Sequence, residues 1–297
     1  MSEDPRNLPE EPQDQDNPEE PQVHPLDQPP GAQSQPPAQP RIEPQRVAIR
    51  LPQVTPYVTY GLLGFTIIIF LLQMITEFAF DPRLCPWFEP GSVFSTGDLP
   101  ACYGLKDNGL ILNGQLWRLI TPVFLHAGLL HIGFNMYALY ILGPELERHY
   151  GSWKFLAMYL VSGFAGVVAS FVLTEAPSLG ASTAVFGLFA AQGVFFYQNQ
   201  RVFGPRARAA FFSIVRLAVI NFLIGLTPGI DNWGHFGGAL GGVMIAWVGG
   251  PIYQLVGEAP DLSLKNQRDD GDFILAMIAT FILAALLAGG WIFISNP

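Results

Sequence analysis

A serine stands among small residues in the stretch Gly180-Ala181-Ser182-Thr183-Ala184, at the head of an apolar run that reaches about Tyr197. A hydroxyl there gains little as filler, so its presence directs attention to a partner base. His235 opens a second apolar run, and on a helix His235, Gly238 and Gly242 fall at i, i+3 and i+7, which sets the imidazole above a glycine face. Such a face lets another helix approach backbone to backbone. The serine's own helix has a small stripe at Gly180, Ala184, Gly187 and Ala191. The two stripes predict close packing that brings the Ser182 hydroxyl to the His235 ring, a nucleophile and a general base, which is the minimum for acyl transfer. Phe186 lies one turn beyond Ser182, placed either to stack on that ring or simply to fill the core.

A third polar cluster holds His126, His131 and Asn135. His131 and Asn135 are i and i+4 on one helix face, so they can offer two donors to a developing oxyanion. Alternatively, they bond a neighbouring helix or line water. Three histidines in a membrane body also raise a metal site, but there is no H-E-x-x-H and the cysteines lie elsewhere. We expect no metal and no cofactor. Asp231, four residues before His235, reads as a loop or capping residue rather than a third catalytic member, leaving a two-residue Ser-His site. Glu147, beside Arg148 and Gly151 past the end of an apolar run, reads as structural.

These groups are positioned by a membrane body. Half of the 297 residues are hydrophobic and the charges gather outside the apolar runs. The formal net charge is −9, nearly all of it from the first 40 residues. That balance argues against nucleic-acid binding and says little about the body. No basic stretch followed by a short apolar one marks a cleaved signal peptide at the start. Residues 1–52, rich in Pro, Gln, Glu and Asp, cannot bury enough surface to offset chain entropy and are expected to be a disordered cytoplasmic tail, a spacer or a Pro-rich docking peptide.

Seven apolar segments follow, at 56–80, 129–146, 155–174, 181–197, 209–225, 235–256 and 273–294, each near the roughly 20 residues a bilayer requires. Arg41, Arg46, Arg50, Arg148, Lys154, Arg201, Arg206, Arg208, Arg216, Lys265 and Arg268 fall on one side of them; Arg83, Lys106 and Arg118 fall on the other. The positive-inside rule then makes the amino terminus cytoplasmic and puts Ser182 and His235 near the outer face of the cell membrane. The long external loop 81–128 contains Cys85 and Cys102, where a disulfide can persist. It ends in Trp117-Arg118, read as an interfacial anchor. Residues 257–297 form a polar linker and the seventh span.

With these residues in place, the chain resembles the rhomboid family of intramembrane serine proteases. The resemblance runs from about Pro56 to Val256, within a six-helix core expected at 53–256, and rests on Trp117-Arg118, the His126/His131/Asn135 spacing, Gly143-x-x-x-Glu147, Gly180-x-Ser182 and His235-x-x-Gly238-x-x-x-Gly242, in family order. It implies an all-α polytopic fold, a six-helix bundle with a water-filled cavity open to the outside, plus one C-terminal transmembrane helix. Ser182 would be the nucleophile and His235 the base, with His131, Asn135 and the Ser182 backbone N–H as the oxyanion hole. The fifth helix and the loop to His235 would form gate and cap. Partners would be single-span membrane proteins, cut near their outer end, and the lipid bilayer. Thr183 departs from the glycine usual after the nucleophile and brings a β-branched side chain beside the oxyanion site. The alternatives are a catalytically silent relative that binds membrane clients and a transporter. A transporter would gather broken helices and ionisable groups at mid-membrane.

Overall fold

The computed structural model describes residues 54–227, 229–258 and 262–295; the tail at 1–52 lies outside the described residues. Helix α1 spans Tyr57–Ala79 and has no side-chain cap of its own behind Pro56. Glu147 supplies one from another helix, accepting hydrogen bonds from Val58 N (3.0 Å), Thr59 N (2.8 Å) and the Thr59 hydroxyl (2.7 Å), and from the Ser152 hydroxyl at 2.6 Å. The first-turn N–H groups of a helix have no intrahelical acceptor, so a buried carboxylate there satisfies them and complements the helix dipole.

The long loop at 81–128 is a folded unit with its own small core. Two short helices, α2 at Leu99–Gly104 and α3 at Asn108–Leu112, begin at Asp98 and Asp107, whose side chains accept from the third N–H beyond them. Cys85 and Cys102 are joined by a disulfide buried with Phe94, Leu105 and Leu125. Arg118 is also inside, which corrects its reading as an interfacial anchor. It is 0% exposed, donates to the carbonyls of Leu105 (2.7 Å) and Cys102 (2.6 Å), and lies over the Trp87 ring. Buried carbonyls need donors, and a guanidinium fills several at once. Trp117 stays half exposed and donates its indole N–H to Tyr103 O.

Helix α4, Leu129–Tyr150, ends at Gly151, whose φ of +84° suits glycine, and α5, Ser152–Leu173, starts at once. Next come α6, Ser182–Gln198, and α7, Gln200–Gly225, broken at Gly204 ahead of Pro205. The fifth segment thus begins earlier than 209, so Arg201, Arg206 and Arg208 are helical rather than connecting. Helix α8 covers Asn232–Gly249, short of the expected 256. After Gly249-Gly250-Pro251 the chain turns into strand β1, Tyr253–Val256, paired antiparallel with β2, Ser263–Asn266. The linker is therefore partly a hairpin. Helix α9, Asp270–Ser295, packs on α5 and α8, with Lys154 and Asp270 paired at 2.6 Å.

Helices thus stand at all seven apolar positions. By length and composition, α1, α5, the Pro205–Gly225 part of α7 and α9 are long and apolar enough to cross a membrane. The core lies where α5, α6 and α8 meet, around Phe155, Tyr159, Leu188 and Ile245, each fully buried.

Candidate active site

Small residues bring Ser182 and His235 together. The side-chain direction at Gly238 points into the Thr183 carbonyl, and that at Gly242 into the Gly187 carbonyl, so any larger residue would hold α8 away from α6. On its other face α8 meets α5 just as closely, Gly237 against Ala169 and the Ala165 carbonyl. In this sandwich His235 Nε2 lies 2.8 Å from Ser182 Oγ. The Phe186 ring stacks on the imidazole, centroids 4.2 Å apart at 11°, and restricts its tilt. Asp231 caps α8, accepting from Gly234 N at 2.8 Å.

The turn into Ser182 is fixed from three sides. Gly180 has φ +140°, and an added Cβ would lie 2.7 Å from the His131 ring, so both conformation and space call for glycine. Its N–H donates to Pro122 O at 2.9 Å. Upstream, Lys106 and Ser178 pair across an isolated antiparallel bridge. The buried Lys106 ammonium donates to Thr174 O (2.7 Å) and Ala176 O (2.9 Å), while Asn108 donates to Phe171 O at 3.1 Å. The 81–128 loop thereby closes the C-terminal end of α5. Burial lowers the Lys106 pKa from 10.5 to about 8, opposed by the charges of Asp231, Glu175 and Asp107.

His131 reaches the site, its ring beside Gly180 and 5.1 Å, edge on, from the His126 ring. The Asn135 amide donates to the His131 carbonyl at 3.0 Å, a bond within its own helix. Two residues outside the expected set join them. His126 Nε2 accepts from Ala181 N at 3.4 Å, and Gln73 of α1 brackets the His126 backbone, accepting from its N–H (2.9 Å) and donating to its carbonyl (3.2 Å). His126 stood in the motif already; Gln73 had a signal too, as a buried amide within an apolar span.

Thr183, the residue after Ser182, is accommodated. It is buried among Gly166, Gly234 and Gly238, where an added Cβ on Gly166 would sit 2.7 Å from Thr183 Cβ. Three glycines on α5 and α8 make room for the branched side chain.

Known proteins resemble this chain over much of its length. The family model described as the rhomboid domain matches residues 113–252. Rhomboid protease GluP of Bacillus subtilis (strain 168) is 38% identical over 183 residues, 61% of this chain and 34% of the relative. RHOMBOID-like protein 6, mitochondrial, of Arabidopsis thaliana is 32% identical over 178 residues, 59% of this chain and 56% of the relative. Of both, the chain spans less than two thirds. RHOMBOID-like protein 7 of the same plant is 31% identical over 228 residues, 74% of this chain and 71% of the relative. The chain is therefore a multi-pass membrane protein with apolar spanning helices, and it belongs to the rhomboid family.

Proposed function

We propose that the protein is an intramembrane serine endopeptidase that cuts single-span membrane proteins near the outer face of the bilayer. The observation that carries this reading is the 2.8 Å contact between His235 Nε2 and Ser182 Oγ inside a glycine-lined helix sandwich. A hydroxyl and an imidazole held at that distance are set for proton transfer as the oxygen attacks a carbonyl. Ser182 Oγ adds to the scissile carbonyl while His235 Nε2 takes its proton. The imidazolium then protonates the leaving amine, and water hydrolyses the acyl-enzyme by the same steps in reverse roles.

The oxyanion is met by the Ser182 N–H, at the start of α6, and by the His131 ring beside Gly180. Asn135 has a second amide proton beyond the one given to the His131 carbonyl, and that proton is the third donor. In this reading six helices form the catalytic core and α9 is an additional span, with the amino terminus cytoplasmic. The transmembrane substrate class follows from family membership, and GluP is itself named a protease.

A fluorophosphonate tests the reading. The wild-type protein in detergent takes up the label at Ser182 and cleaves a single-span substrate; Ser182→Ala loses both, and His235→Ala falls below about a hundredth of the rate. Client binding without labelling identifies the silent alternative.

A further inference from the structure

Gln73 stands near the end of α1, 2% exposed between Leu72 and Met74, which are both exposed. An amide buried in an apolar helix costs free energy unless its polar atoms are paired, and a leucine would fill the same space without that cost. Each polar atom of this amide is used. Oε1 accepts from His126 N at 2.9 Å, and Nε2 donates to Asp98 Oδ2 at 2.7 Å and to His126 O at 3.2 Å. These partners fix which way round the amide lies, because the backbone N–H requires the oxygen and the carboxylate requires the nitrogen.

Asp98 is committed as fully. Its Oδ1 accepts from Ala101 N at 2.8 Å, at the start of α2, which leaves Oδ2 for Gln73. The residues on either side are also seated on α1. Leu99 N donates to the Thr76 hydroxyl at 3.2 Å, and a Cβ on Gly97 would run into the carbonyls of Phe80 and Glu77. Through Gln73, α1 and the 81–128 loop therefore grip the backbone of one residue, His126.

His126 in turn faces the candidate site. Its buried ring accepts at Nε2 from the N–H of Ala181, the neighbour of Ser182, at 3.4 Å, and lies edge on to the His131 ring at 5.1 Å. The turn into Ser182 and the His131 donor thus lean on the same side chain. We propose that Gln73 and Asp98 are positioning residues, which act through His126 to hold the Ser182 turn and the His131 ring in register. This rests on the acyl-transfer reading of Ser182 and His235. Neither residue touches the reacting atoms, so their contribution falls on attack and on the oxyanion rather than on capture of the substrate's membrane segment.

Gln73→Met keeps the length of the side chain and removes all three bonds. Assayed in detergent well below its thermal midpoint, it should lose about tenfold or more in kcat at nearly constant KM, and fluorophosphonate labelling of Ser182 should slow by a similar factor. The pairing with Asp98 is tested by exchange of roles. Asp98→Asn still caps α2 but turns an amide nitrogen toward the Gln73 nitrogen, and Gln73→Glu turns a carboxylate toward the Asp98 carboxylate. Each should slow cleavage, whereas the double variant again sets a donor against an acceptor and should be at least about threefold faster than Gln73→Glu alone. A readout without turnover is amide hydrogen exchange in Ser182→Ala protein: adding Gln73→Met should speed exchange around His126 and residues 179–183 and leave α8 as it was. Wild-type kcat and labelling in Gln73→Met would overturn the proposal, and so would exchange that is unchanged, or that rises equally in α8 and so reports general loosening. Additive effects in the Gln73/Asp98 cycle would remove Asp98 from it. If the wild-type protein neither labels nor cleaves, the protease reading has failed, and the exchange arm still decides whether Gln73 holds the Ser182 turn.

Discussion

Helices α7 and α8 flank α6 on two sides and are both apolar, yet they are held quite differently. Of the 26 residues of α7, the buried ones are Ala207 and Gly225, whereas eight of the 18 in α8 are buried, six of them glycines. Where α7 faces its neighbours, an apolar cavity of about 320 Å³ opens, lined by Phe189, Gly193, Ile214, Val243 and Trp247 among others. Where α8 faces α5 and α6, backbones touch. By length and composition α7 counts as a span, and α8, α6 and α4, the helices that carry His235, Ser182 and His131, do not. Strong apolarity thus marks α1, α7 and α9, which are largely exposed, and also the half-buried α5. The candidate site residues stand on helices where small residues and polar groups dilute it.

The largest expected break in this contrast is Gly238→Val. The branched side chain meets the Thr183 carbonyl and has no soft neighbour to displace, so α8 must shift. A displacement of about 1 Å at the reacting pair costs on the order of a hundredfold, and cleavage should fall by at least that while the protein still inserts and purifies. Wild-type rates would show that contact between α6 and α8 is not what positions His235. Gly242→Ala puts one methyl on the Gly187 carbonyl, two turns from the pair, and should cost about tenfold in kcat with KM nearly unchanged.

A third test concerns α5, against which α8 rests. Its C-terminal end is closed by Lys106. The Lys106 pKa is lower in the folded protein, about 8, than its ordinary value of 10.5. Between those values the unfolded chain binds the proton more tightly, so this lysine adds stability as pH rises through that window. The thermal midpoint of wild type relative to Lys106→Met should therefore climb between pH 8 and 10; a flat difference would place the ammonium in water. The smallest effect is expected on α7. Phe222, half exposed on that helix, should cost under about 0.5 kcal/mol of stability when changed to alanine.

Much of the site was legible because glycine spacing has a direct geometric meaning. His235, Gly238 and Gly242 share a face, Phe186 stands one turn from Ser182, and those relations hold in the fold. Spacing puts a residue on a face without fixing its torsions, and so the Asn135 amide is found on its own helix's carbonyl. Lys106 and Arg118 were harder, since a charged residue in an outer loop reads as solvated. Both instead donate to buried carbonyls, Arg118 within its own loop and Lys106 to a segment some 70 residues on, a need that no local pattern records. The end of α8 was readable in principle: Gly249-Gly250-Pro251 is strong punctuation, and the apolar residues that follow belong to a strand.

The carboxylate of Glu147 carries a consequence for how the chain assembles. Helix α1 begins with backbone donors that its own sequence does not satisfy, and the acceptor arrives from a residue 88 positions later. Gly143, one turn earlier on α4, is the gap into which Thr59 fits. The start of α1 is therefore complete only after α4 has been synthesised and has come alongside it. Until then its first turn can fray into the water and headgroups at the membrane edge, and α1 and α4 mature as a pair.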